Sequence, residues 1–137
     1  MKRQKISPFL TFNGQAEEAM QFYAQNLPNA SIITLVHYGK DHPMAEVGDE
    51  TRVLHGSISI LGQELKFLDM TKAYPAPDFS WSSSIYLDCE NEAEFDTVFN
   101  ALAADGQVMM GPESVAHIRK CAWVVDKFGV TWQPVWE

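Results

Sequence analysis

The sequence predicts an α+β fold in which two β-α-β-β-β modules form a cupped mixed sheet around a cavity, with the helices on the outer faces. Three observations predict it: two amphipathic helical patterns, three strand-like runs after each, and a proline-bearing break between the two sets.

The stretch "SPFLTF" is a short apolar strand, and Asn13-Gly14 marks the turn after it. Ala16, Ala19, Met20, Tyr23 and Leu27 then recur at helical spacing, forming one face of a helix that stops at Pro28 and Asn29. "ASIITLVHYG", "VLHGSISILG" and "ELKFLDM" follow as strands, with turn signals at Gly48-Asp49 and Gly62-Gln63. The plan repeats from "SSSIYLD". Phe95, Val98, Phe99 and Leu102 share a helical face, Asn91 and Glu94 have the spacing of a capping box, and Gly106 ends the helix. "QVMM", "RKCAWVVD" and "VTWQPVW" complete the second set, with "GPES" and "KFG" as the turns between them. The segment "TKAYPAPDFSW" reads as a connection, so a single domain is expected with module 1 at about 5–71, a linker at about 72–80 and module 2 at about 81–137.

Such a module covers one sheet face with its helix and leaves the other bare. Leu54, Ile58 and Ile60 alternate with His55, Ser57 and Ser59; Ile85 and Leu87 with Ser82, Ser84, Tyr86 and Asp88; Val130 and Trp132 with Thr131 and Gln133. The apolar sides are expected against the helices and the polar sides around the cavity.

Composition bounds the function. The 137 residues are 46% hydrophobic and 20% charged, enough for a folded domain or two small halves sharing a core. A formal net charge of -8 argues against a grip on nucleic-acid phosphates, and the one basic cluster, Lys2, Arg3 and Lys5, reads as a solvated chain end. No apolar run approaches the ~18 residues of a membrane helix, and "MKRQKISPFL" lacks a signal-peptide pattern, so no membrane partner and a cytoplasmic location are expected. Cys89 and Cys121 stand far apart without C-x-x-C spacing and are expected as reduced, buried thiols.

With "AEEAMQFY" early and "DKFGVTWQ" late, the chain resembles the vicinal oxygen chelate superfamily, which includes glyoxalase I, extradiol dioxygenases and the fosfomycin and bleomycin resistance proteins. More closely it is similar to the PhnB-like branch, often labelled a 3-demethylubiquinone-9 3-methyltransferase domain. "ISPFLTFNGQAEEAMQFY", "SISILGQEL", "WSSSIYLDCENEAEFD" and "WVVDKFGVTWQ" carry that resemblance across nearly the whole chain. In metal-using members the ion is held by a His on the first strand, a His opening the second half and a Glu on the last strand. The resemblance places Pro8 at the first position, Ser84 or its neighbour at the second and Gln133 at the third. Proline offers no side-chain donor, a neutral serine is a weak ligand and glutamine has only a carbonyl oxygen, so no metal is expected there. The resemblance also implies a homodimer, with the aromatic C-terminal strand ending at Trp136 contributing to the interface.

The leading expectation is a metal-independent small-molecule-binding protein without a cofactor. Its cavity would be lined by Pro8, Leu10, Phe12, His55, Ser84, Tyr86, Trp123 and Gln133. His55 is the one histidine on a cavity-facing strand side, where an imidazole can act as a base or a ligand donor. His37, His42 and His117 are expected at the surface, Trp132 in the core, and Trp81, Tyr86 and Trp123 either stacked on a flat ligand or in the core. Two alternatives stand beside it: a metal-dependent lyase, isomerase or dioxygenase holding a divalent ion through His55 with Glu64 or Asp69, and a structural dimer whose side chains fill the cavity. A methyltransferase activity is unsupported, since the eight glycines contain no G-x-G-x-x-G.

Overall fold

A computed structural model describes residues 4–137, so Lys2 and Arg3 lie outside the described residues. The chain forms two compact units, Met1–Pro77 and Asp78–Glu137. Each is β-α-β-β-β, and the fold is α+β.

In the first unit β1 (Phe9–Phe12), α1 (Ala16–Asn26), β2 (Ala30–His37), β3 (Val53–Ile60) and β4 (Gln63–Asp69) follow in order. The sheet runs β1-β4-β3-β2, with β1 parallel to β4 and the remaining pairs antiparallel. α1 buries Ala16, Ala19, Met20 and Tyr23 against Ile58, Ile60, Leu65 and Phe67. A Cβ on Gly56 would lie 2.6 Å from Met20 Sδ, so any larger residue at this strand position would push the Met20 side chain aside.

The start of α1 has an unusual solution. Gln15, at the N-cap, makes no side-chain cap bond. Asp69, at the end of β4, supplies it instead: Oδ1 accepts from Gly14 N at 2.7 Å and Ala16 N at 3.1 Å, while Oδ2 accepts from Val53 N at 2.9 Å. A buried carboxylate thus satisfies the helix start and ties it to two strands.

The second unit repeats the topology with β5 (Ile85–Asp88), α2 (Glu92–Ala103), β6 (Gln107–Val115), β7 (Ile118–Val125) and β8 (Thr131–Trp136), in the order β5-β8-β7-β6. α2 has a local cap: Asn91 Oδ1 accepts from Glu94 N at 2.9 Å, and Glu94 Oε1 accepts from Glu90 N at 3.0 Å. Phe95, Val98 and Leu102 bury themselves against this sheet, with Trp132 and Val124 fully enclosed. Asp126 organises the turn into β8, accepting from Phe128 N at 2.9 Å, Val130 N at 3.0 Å and Trp132 Nε1 at 2.9 Å.

Two details differ from the sequence expectations. "GPES" is part of β6, because strand pairing with β7 continues past it through register shifts, and the hairpin turns at Ala116 (φ 52°). Gly48-Asp49 lies in a longer loop in which Asp49 is buried, accepting from Glu46 N at 3.0 Å and Lys72 N at 3.2 Å. These hydrogen bonds, Glu46 N first, hold its carboxyl below the ordinary aspartate range. β8 is an interior strand with both backbone edges paired, and Trp136 is half-buried beneath Arg119, whose guanidinium carbon lies 5.1 Å from the ring. The edge strands are β1 and β2 in one sheet and β5 and β6 in the other.

Candidate functional site

Each sheet has a side turned away from its own helix, and the residues there follow from register. In the second unit Tyr86 pairs with Gln133 across β5 and β8. The β7–β8 register, Cys121 with Val135 and Val124 with Trp132, sets Trp123 beside Gln133. Side chains that are partners in register share a face, so Tyr86, Gln133 and Trp123 form one row across three strands. Gln133 Nε2 donates to Ser84 Oγ at 2.7 Å. Tyr86 is 56% exposed, and Trp81 approaches Trp123 with ring centroids 6.2 Å apart. Four of the residues selected from the sequence are therefore brought together on one surface. Thr131 was not selected, although alternation places it on the side of Gln133; its buried hydroxyl has no hydrogen-bond partner.

Burial pushes the Tyr86 phenol up, aided by Asp88, so it is a neutral donor across physiological pH. Burial also pushes the thiol of Cys89 up to about 12, and Cys121 in the same direction. Both cysteines are free and buried, which makes them packing groups with little thiolate character.

In the first unit the sequence expectation needs correction. β1 pairs with β4 so that Leu10 matches Phe67 and Phe12 matches Asp69, the side facing α1. Phe12 is 3% exposed and stacks on Phe67 at 5.8 Å, so it is a core residue, and Leu10 shares its side of the strand. Phe9 and Thr11 take the opposite side. Pro8 sits just before β1, exposed, with its carbonyl accepting from Lys66 N at 2.9 Å. His55 is exposed on the side away from α1, where an open depression of about 580 Å³ is lined by Gln4, Lys5, Ser7, Phe9, His55 and Lys66.

The alternative metal set does not assemble. Asp69 faces α1 with both oxygens engaged by backbone donors, and Glu64 is matched to Ser59, two strand repeats or roughly 13 Å from His55. Among the described residues no group of three or more His, Cys, Asp or Glu is placed to hold a metal. His37 Nε2 lies 2.6 Å from Glu17 Oε1, His117 Nε2 lies 3.1 Å from Glu137 Oε1, and His42 Nδ1 accepts from Met44 N at 3.1 Å. No helix among the described residues is long and apolar enough to cross a membrane.

Residues 4–135 match the protein family described as 3-demethylubiquinone-9 3-methyltransferase. The chain is 37% identical to the PhnB protein from Bacillus cereus, with a TM-score of 0.82 over 98% of this chain and 100% of that one. Protein YjdN of Escherichia coli (strain K12) is 27% identical over 93% of this chain and 91% of its own length. A fosfomycin resistance protein, FosX from Listeria monocytogenes, shares the fold at 11% identity, with a TM-score of 0.62 over 100% of this chain and 93% of that one. Matched over nearly its whole length and built from two β-α-β-β-β units, the chain belongs to the 3-demethylubiquinone-9 3-methyltransferase family, with a PhnB protein among its relatives.

Proposed function

We propose that this chain is a metal-independent small-molecule-binding protein whose ligand lies on the row Tyr86, Gln133 and Trp123. The observation that carries the proposal is the hydrogen bond from Gln133 to Ser84, flanked by the exposed Tyr86 ring and the half-buried Trp123 ring. Two positions that the resemblance matches to metal ligands are occupied by neutral groups that satisfy each other. Neither offers the charge or imidazole nitrogen that a transition ion requires. What remains free is the amide oxygen of Gln133, its second N–H and the Ser84 hydroxyl proton. A flat ligand would stack on Tyr86 and Trp123 while a polar edge met the Gln133 amide.

A thermal-unfolding screen with small aromatic and amphipathic compounds tests this, because a ligand that binds only the folded chain raises Tm by mass action. Tyr86→Ala or Trp123→Ala is expected to weaken a hit at least about tenfold, the loss of roughly 1.4 kcal/mol of ring contact. No response to a broad panel would count against the proposal. Metal near one ion per chain in protein purified without a histidine tag would overturn the metal-independent reading.

The proposal includes a homodimer. Ile32, Ile33 and Val36 are exposed on the edge strand β2, an apolar edge that a second copy would cover. Sedimentation equilibrium should give twice the 15.4 kDa chain mass, and Ile33→Lys should shift it toward the monomer. A monomeric parent chain would refute it. The buried, free cysteines support a reducing, cytoplasmic setting.

A further inference from the structure

We propose that the first unit holds an anion site, in which Lys5, Lys66 and His55 take the carboxylate or phosphate of a small organic anion and Phe9 supports its apolar body. The proposal draws only on residues of the first unit.

The depression holding these residues measures about 580 Å³, within the range of ligand sites. Its lining has two ammonium groups and an imidazole, and no acid. That is notable in a chain carrying 18 Asp and Glu against 10 Lys and Arg. Two other cations have anionic partners: Arg52 Nε lies 3.5 Å from Asp49, and Lys120 Nζ lies 3.1 Å from Glu92 and 2.8 Å from Asp96. Lys5, Lys66 and His55 have no ion pair among the described residues. Unpaired positive charge gathered in one concavity raises the local concentration of anions.

The site is built by the fold. Gln4 clamps the N-terminal segment to β4: its Nε2 donates to Glu64 O at 3.1 Å, and its Oε1 accepts from Glu64 N at 2.9 Å. The clamp sets Lys5 and Ser7 along the start of β4, near Lys66. Register then fixes the floor, since Lys66 is the partner of both Phe9 on β1 and Ser57 on β3, and His55 lies two residues from Ser57 on the same side. Phe9 is 52% exposed, an aromatic surface in the midst of the cations. An inorganic anion would satisfy the charges alone; an anion with a ring or short chain would also cover Phe9. Lysine ammoniums are strongly hydrated, so the site should favour charge over shape and weaken with salt.

Sodium benzoate, with inorganic phosphate as competitor, tests the site in titrations of the full chain at low salt. The expected result is saturable benzoate binding, weakened at least about tenfold by Lys66→Gln and by Lys5→Gln. Competition by phosphate would identify the head group as any small oxyanion, and its failure would restrict the site to carboxylates. Absence of saturable binding would overturn the proposal, as would binding indifferent to both lysine substitutions. Failure of the ligand row on the second unit would leave this result untouched.

Discussion

Asp69→Ala is expected to cost about 3–4 kcal/mol of unfolding free energy, read as a fall in the urea midpoint without a change in slope. The alanine would leave three backbone donors, of Gly14, Ala16 and Val53, without acceptors in an environment where Asp69 is 1% exposed. Each buried orphan costs on the order of 1–3 kcal/mol, less what water recovers at the partly buried Gly14. Set against the roughly 5–15 kcal/mol that stabilise a typical domain, this is a large fraction. Amide exchange gives the sharper readout, because protection should be lost first in the opening turn of α1. A loss under about 1 kcal/mol would mean that a local group or water replaces the carboxylate, and that the long-range cap is dispensable.

Trp132→Ala should cost about 3–5 kcal/mol, the usual range for truncating a fully enclosed large aromatic. Two effects add: a cavity under α2, and loss of the indole donor to Asp126 Oδ2 at 2.9 Å. Trp132→Phe separates them, retaining most of the volume and removing the donor, for a loss of about 1–2 kcal/mol. Because Asp126 also accepts from Phe128 and Val130, the pair Asp126→Ala and Trp132→Ala should cost less together than the sum of the two alone. Strict additivity in urea unfolding would show that turn and core are not coupled through this carboxylate.

How much of this was legible depended on whether the signal was local. Both helices were visible because their buried residues recur at three and four, and Asn91 with Glu94 sits at the true start of α2. The side of β8 was legible too, since Trp132 and Gln133 differ sharply in polarity. The side of β1 was not. "PFLTF" is apolar at Phe9, Leu10 and Phe12 alike, so alternation carries no information, and only pairing with β4 turns Phe9 outward and Phe12 inward. β6 was misread for a related reason. Gly111 and Pro112 normally punctuate a chain, yet a bulged strand tolerates them when the partner strand continues. The buried carboxylates were hidden for a different reason: nothing near Asp69 in sequence shows that its partners lie at residues 14, 16 and 53.

The two helix caps also set an order of events during synthesis. Asn91 is three residues from the amide that it serves, so α2 can begin as soon as its own turn exists. α1 must wait for Asp69, made after both intervening strands, before its first amides find a permanent acceptor. A nascent chain ending short of β4 would carry α1 as a frayed, transient helix, and the arrival of one aspartate would close the unit.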